Sequence, residues 1–241
     1  MSANTMTLSL AQLTHPAPLL LIDTASSRVQ TALFRPNHPA PALWETRDDE
    51  AGVALFSCVE KLLARASLNI ANIATFAFCD GPGSVLGIRT AAVALRTWRV
   101  MDSTRPPRPV YSYCSLALIA HHLLATENAR NLSLIADARR DTWHHIAIDA
   151  DGAISPLRRV PTAQLANAPT PLAMPAHFRH WTPLPPNVRI IPHALETMLS
   201  APALAAAPLF TPAPEPDAFF HEEPVYQLWT PQIHQAAPLP T

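Results

Sequence analysis

The chain has 241 residues, of which 49% are hydrophobic, and a formal net charge of −1. Its length allows one large domain or two small ones with a buried core, and its composition excludes a disordered protein. The near-zero charge argues against a nonspecific nucleic-acid binder. The single lysine, Lys61, argues against a catalytic lysine, and a Walker-type GxxxxGK[ST] loop is absent from the sequence.

Hydrophobic patterning predicts an α/β protein in which strands precede helices in both halves. In chain order, the predicted elements are a β-hairpin of strands 19–22 and 29–34, a helix at 50–66, a strand at 73–78, helices at 85–100 and 115–126, strands at 131–136 and 143–148, and a short helix near 194–200.

The proline-rich run 105–109 predicts a linker between an N-terminal lobe, residues 16–104, and a smaller C-terminal lobe, residues 110–230. Within the second lobe, residues 156–216 are rich in proline, so long regular elements are not expected there. Both ends of the chain are expected to be disordered: residues 1–15 and 231–241.

Three of the five glycines fall within seven positions, at Gly81, Gly83 and Gly87. Glycine lets a backbone adopt positive φ or lie close against a phosphate or another backbone. Between a strand and a helix, such a loop directs free N–H groups at an anion or at a tightly packed partner. Ser84, at the helix start, is predicted to be an N-cap residue rather than a nucleophile, because the loop is not a GxSxG elbow.

The loop is one of several segments that resemble the bacterial TsaB (YeaZ) family. Residues 81–89, which end at Arg89, resemble the family signature GPGSFTGLR, with Val85 and Leu86 in place of its Phe and Thr and Ala91 in place of a later family glycine. Order and spacing agree over residues 19–228. The other matching segments are 21–25, 113–117, 136–141 and 223–226.

The resemblance implies an actin-like (ASKHA, ribonuclease H-like) α/β fold with two βαβ-type lobes. It implies a role in making threonylcarbamoyladenosine on tRNAs that read ANN codons. The protein would be non-catalytic, and would pair with its paralogue TsaD, which carries the metal and the chemistry, and with the ATPase TsaE. It would hold no cofactor or metal itself and meet tRNA only through the complex, and any ATP or ADP with Mg²⁺ would lie at the complex interface.

Two interpretations of Asp23, at the end of the first predicted strand, stay open. In actin-like kinases an aspartate there helps to hold a hydrated Mg²⁺ near the phosphates. In the simpler interpretation it accepts hydrogen bonds from nearby backbone N–H groups, which the absence of glycine from the turn 25–28 favours. The residues considered for nucleotide or interface contact are Asp23, Gly81, Gly83, Ser84, Gly87 and Arg89.

The helices near 51–66 and 85–99 are predicted to form a docking surface, because each has apolar side chains on more than one face. A single sheet cannot easily cover two apolar stripes of one helix, so the surplus should contact a partner. We expect that partner to be TsaD, or a second copy of the chain when TsaD is absent. The predicted interface consists of Leu55, Val59, Leu62, Gly87, Ala91, Ala94 and Trp98.

Two enzyme functions remain as alternatives. The first is an ATP-dependent small-molecule phosphotransferase of the same fold, which the lack of a second glycine loop disfavours. The second is a metal-dependent glycoprotease-like peptidase, which the lack of an HxxxH pair disfavours. His177 and His180 have no nearby cysteine or carboxylate in the sequence, so a zinc pair is not predicted there. Asp137, Arg139 and Asp141 are predicted to form a polar turn rather than an acid–base set.

Overall fold

The protein is described here by a computed structural model, which covers residues 6–15, 17–36, 42–101, 106–166 and 170–218. The architecture is α/β, with two sheets and a hydrophobic core that is continuous between them. None of the helices in these ranges has both the length and the apolar character that a membrane span requires.

Eleven strands, seven α-helices and one short 3-10 helix, Ile70–Asn72, occur in the described ranges. The strands are β1 (Leu19–Asp23), β2 (Val29–Phe34), β3 (Ala42–Arg47), β4 (Thr75–Gly81), β5 (Val110–Cys114), β6 (Leu132–Asp137), β7 (Thr142–Ile148), β8 (Arg158–Pro161), β9 (Leu172–Pro175), β10 (Arg189–Ile191) and β11 (Thr211–Pro212). The helices are α1 (Leu10–Leu13), α2 (Ala51–Ala66), α3 (Val85–Arg99), α4 (Ser115–Glu127), α5 (Thr162–Ala166), α6 (Leu195–Leu199) and α7 (Pro202–Ala206).

The two sheets repeat one topology. The first has the order β11-β5-β4-β1-β2-β3, and the second has the order β10-β9-β6-β7-β8. In each, three consecutive strands pair antiparallel, and the next two strands on the other side of the first of them run parallel to it, namely β4 and β5 in the first sheet and β9 and β10 in the second. The first sheet has an additional edge strand, β11, which pairs antiparallel with β5. Parallel pairing needs a crossover, which α2 and α3 supply in the first sheet. The predicted hairpin, the helices α2, α3 and α4, and the two related halves are confirmed.

The predicted lobe boundary is wrong, because β5 follows the proline-rich run and yet pairs with β4. Residues 106–109, the described part of that run, are held against the first lobe by contacts of Arg108. The Arg108 backbone N–H donates to the carbonyl of Arg99, and its guanidinium donates to the carbonyls of Ile73 and Trp98 and lies 5.0 Å from the centre of the Phe76 ring. The chain therefore leaves the first lobe only after β5.

The first lobe also takes in segments from both ends of the described chain. β11 pairs antiparallel with β5, and Leu8 pairs with Phe210 beside it. Leu10 and Leu13 of α1 are buried, so the expectation of disorder for residues 1–15 is wrong for the described residues 6–15. The apolar positions of that short helix gave too little periodicity to be recognised. The tail 231–241 and the matching segment 223–226 lie outside the described residues.

The predicted interface is wrong for most of its residues, because the monomer itself covers most of both stripes of α3, although Ala94 and Trp98 also line a groove on the outer side of the helix pair. Helix α3 contacts β1 and β4 on one side and α2 on another. Trp98 is half-buried between the rings of Phe56 and Phe76. The other six predicted interface residues are buried in the core: Leu55, Val59, Leu62, Gly87, Ala91 and Ala94.

This packing predicts that two charged substitutions in α3 differ strongly in their effect on stability. Ala91 is buried, and Ala91→Glu would place a carboxylate without a counter-ion in the core, lowering the free energy of unfolding by about 3 kcal/mol or more. The melting temperature should fall by about 6–12 °C. Val93, 58% exposed on the same helix, is the matched control. Val93→Glu should leave the melting temperature nearly unchanged, and an equal response of the two variants would contradict the packing.

Candidate functional site

The glycine loop lies directly against the turn of the first hairpin. The Ser84 backbone N–H donates to the Ala25 carbonyl at 2.6 Å. A Cβ atom on Gly83 would lie 2.2 Å from the same oxygen, and one on Gly87 would lie 2.3 Å from the Thr24 carbonyl oxygen. Only glycine permits such an approach, so the loop serves a tightly packed partner, namely the chain's own hairpin.

The loop also starts helix α3 as predicted. The Ser84 hydroxyl accepts a hydrogen bond from the Gly87 backbone N–H at 3.3 Å, which confirms the N-cap role. Gly81 has a φ of 130°, a backbone conformation that other residues rarely adopt. The sequence signature is thus explained by backbone geometry at a strand-to-helix turn.

Asp23 is completely buried where β1 ends beside this loop. One carboxylate oxygen accepts the backbone N–H of Ala25 at 2.9 Å, and the other accepts the Tyr113 hydroxyl at 2.6 Å. The Nε2 atom of His193 lies 3.9 Å from the second oxygen. The interpretation of Asp23 as an acceptor of local hydrogen bonds is therefore confirmed. A hydrated Mg²⁺ would have to displace Tyr113 to reach this carboxylate.

His193 brings the second half of the chain to the Asp23 cluster. Burial lowers the pKa of His193, although the charge of Asp23 opposes that effect, so the imidazole is neutral at pH 7. Gln30 fixes the segment, because its amide group donates to the His193 carbonyl at 3.1 Å and its side-chain oxygen accepts the Leu195 N–H at 2.9 Å. Sequence analysis missed His193, since it lies in a proline-rich stretch that matches no motif.

The turn between β6 and β7 corresponds to the hairpin turn of the first sheet. Asp137 accepts the backbone N–H groups of Arg139, Trp181 and Thr182. Burial would raise the pKa of Asp137, but these backbone hydrogen bonds together lower it below its ordinary value. The Arg139 guanidinium lies 3.9 Å from the centre of the Trp181 ring. The predicted polar turn is confirmed, and its carboxylate is already fully engaged.

The structure brings Asp23, Gly83, Ser84 and Gly87 together around the first hairpin turn, whereas Arg89 projects from the exposed outer side of α3. Gly81 belongs to the same loop at the end of β4. Among the residues that the structure describes, no group of three histidine, cysteine, aspartate or glutamate side chains could hold a metal ion.

The outer face of α2 and α3, the helices predicted to form a docking surface, carries a groove, and the candidate residues Arg89, Ala94 and Trp98 are in its lining. It has a volume of about 550 Å³. Its lining includes Phe56, Leu86 and Val93, which are 45%, 77% and 58% exposed, and Val53 nearby is 68% exposed. Leu86 and Val93 are seven positions apart and define a third face of α3. That spacing is readable in the sequence, but it is less evident there than the two longer apolar stripes. We call this surface the α2–α3 groove.

No protein-family model and no curated protein sequence matches the chain. Two solved structures from Pseudomonas aeruginosa resemble it in fold. YeaZ is 24% identical with a TM-score of 0.54, and the match covers 78% of this chain and 90% of YeaZ. An uncharacterized protein with similarity to the peptidase YeaZ is 22% identical with a TM-score of 0.52, covering 76% and 89% of the two chains. The predicted actin-like fold is confirmed.

The contact between the glycine loop and the hairpin predicts that Gly83→Val destabilises the fold. The new Cβ would overlap the Ala25 carbonyl oxygen at a φ of 156°, which should cost at least about 2 kcal/mol of unfolding free energy. Gly52 has no neighbouring atom within 4 Å of a built Cβ, so Gly52→Ala is the matched control. It should leave stability unchanged or raise it by up to about 1 kcal/mol. Thermal unfolding of both variants tests the contact. An unchanged melting temperature for Gly83→Val would show that the glycine loop does not pack against the hairpin turn in this way.

Proposed function

We propose that the chain is a member of the TsaB (YeaZ) family and a non-catalytic scaffold that activates a TsaD-like enzyme in threonylcarbamoyladenosine modification of tRNAs reading ANN codons. Two independent kinds of likeness support this proposal. The sequence segments around the glycine loop resemble that family, and the solved structures with a similar fold include YeaZ and a YeaZ-like protein.

The observation that carries the scaffold role is the α2–α3 groove. Helices that cover a sheet usually present a polar outer face, but here Val53, Phe56, Leu86 and Val93 are exposed together. A paralogue with the same fold has a corresponding helix pair. Two such pairs can pack face to face about an approximate twofold axis, as in an isologous dimer. We therefore assign the groove to TsaD, with a second copy of the chain as the occupant when TsaD is absent.

The surroundings of Asp23 support a non-catalytic role. A kinase-like enzyme needs this carboxylate to be open to Mg²⁺ and phosphate, whereas here Tyr113 and the Ala25 N–H occupy it and His193 lies against it. The turn at β6–β7 offers no glycine for a second phosphate loop. No specific observation favours either the phosphotransferase or the peptidase alternative.

If this chain is the non-catalytic partner, the other components of the proposed assembly supply the remaining functions. TsaD would supply the metal and the chemistry, and a TsaE-like ATPase would join the pair. ATP or ADP with Mg²⁺ would bind at the interface of the complex rather than within this chain alone. The chain would meet tRNA only through the complex, in the cytoplasm.

Val93→Glu tests the groove as the docking surface. It should leave the monomer folded but weaken binding to the TsaD of the same organism at least about 100-fold, because a carboxylate would be buried against an apolar partner. Calorimetric titration against purified TsaD measures the affinity.

Ile190→Glu is the matched control, because Ile190 is a similarly exposed apolar residue, at 51%, in β10 of the second sheet. It should bind TsaD like the wild type. If Val93→Glu is folded by circular dichroism and also retains wild-type affinity, the groove is not the docking surface.

We further expect the purified chain to hydrolyse no ATP above background, because Asp23 is enclosed. The measurement is phosphate release with Mg²⁺ and ATP, with Asp23→Ala as the comparison. Turnover that Asp23→Ala abolishes while the variant remains folded would instead favour the phosphotransferase.

A further inference from the structure

A second pocket, of about 320 Å³, lies where the carboxyl ends of β4 and β5 meet the start of α4. It is separate from the α2–α3 groove, since no residue of α2 or α3 lines it. One side of α4 and the returning segment before β11 form its walls. The side chains that give it its character are Asp80, Ser112, Cys114, His121, Leu157 and Leu209.

Among the described residues that line this pocket, Asp80 is the one charged group at neutral pH. Burial raises the pKa of the Cys114 thiol to about 12 and lowers the pKa of His121, so both side chains are neutral. Burial also raises the pKa of Asp80 to about 6, with a hydrogen bond from Ser112 opposing the shift, so Asp80 is mainly a carboxylate at pH 7. No cation is among the causes of that shift. Asp80 is half-buried in the structure, and no lysine or arginine is among the described residues that line the pocket. A ligand that fills the pocket would remove water from this carboxylate, which is unfavourable unless the ligand itself supplies a cation.

We propose that this pocket binds a small organic ammonium ion. The ammonium N–H groups would donate to the Asp80 carboxylate, and the apolar part of the ligand would lie against Leu157 and Leu209. The volume corresponds to about ten water-sized groups, at the lower end of the range for small-molecule sites. The proposal does not depend on the scaffold function, because a different surface carries each.

Other ligand classes fit the lining less well. A metal ion lacks donors, since no three metal-ligating side chains cluster anywhere in the described ranges. An anion would face the Asp80 carboxylate, and none of the described lining residues is a cation that could offset the repulsion. A neutral apolar molecule would leave that carboxylate desolvated and unpaired.

The test uses the full chain, labelled with ¹⁵N, and three probes of matched shape: benzylamine, benzyl alcohol and benzoate. At pH 7.5 benzylamine should shift the amide signals of Asp80, Ser112 and Ala117. It should bind at least about tenfold more tightly than benzyl alcohol, and benzoate should not bind. Equal affinities for the amine and the alcohol, or no binding of benzylamine, would overturn the proposal.

Asp80→Asn removes the charge and keeps the shape. Because the pKa of Asp80 is raised to about 6, the folded chain binds this proton more tightly than the unfolded chain does, so the contribution of Asp80 to stability is present at low pH and is lost as the pH rises through about 6. The variant should therefore fold at pH 7.5 and lose the preference for benzylamine over benzyl alcohol. Asp151→Asn, in the exposed turn after β7, is the control and should retain the preference.

The wild type supplies a test that needs no variant. Lowering the pH from 7.5 to 5 protonates Asp80, with a pKa of about 6, and should weaken benzylamine binding about tenfold. His121 on α4 can also gain a proton over this range and would act in the same direction, so Asp80→Asn is titrated at both pH values to separate the two. An affinity for benzylamine that is the same at pH 5 and pH 7.5 would contradict the assignment of Asp80.

Discussion

The contact between the glycine loop and the turn of the first hairpin is the constraint on which the rest of the first lobe depends. Gly83 and Gly87 let the start of α3 lie against the carbonyl oxygens of Ala25 and Thr24. This position fixes where α3 crosses the sheet and which of its faces meet β1, β4 and α2. Because the other faces are then used, the side that carries Leu86 and Val93 is left to the surface. The close packing of the glycine loop against the hairpin turn therefore also determines which face of α3 forms the outer groove.

Because the glycine loop lies so close to the hairpin turn, little space is left at the end of β1. In a kinase of this fold, the carboxylate at that point must be open to a metal ion and to phosphate oxygens. Here the Tyr113 hydroxyl occupies one carboxylate oxygen, and His193 arrives from the other half of the chain. Asp23 thus forms a buried polar cluster where the two halves of the chain meet. The hydrogen bonds that join the halves at this point are those of Gln30 in β2 with the His193 carbonyl and the Leu195 N–H.

Local patterns predicted the elements well, and they predicted their assembly less well. The spacing of apolar residues identified α2 and α3, and Ser84 was recognisable as an N-cap, because such signals involve neighbouring residues. Lobe membership was missed, since the pairing of β11 with β5 joins positions about a hundred residues apart. The sequence pattern also did not show which apolar residues of α3 are buried. Ala91 and Val93 are two positions apart in one helix, and only the placement of α2 decides which of them is covered. Nothing in the sequence links Tyr113 and His193 to Asp23.

The pairing of β11 with β5 also has a consequence for synthesis. The first lobe contains the earliest described residues of the chain and some of the last, since Leu8 pairs with Phe210 and β11 completes the sheet edge. The second sheet is made in between. On the ribosome, where domains generally fold as units in order of emergence, the first lobe can acquire its edge strand only after the second sheet has left the exit tunnel. Until then β5 presents an unpaired edge, and the nascent chain is open to association with other chains at that edge.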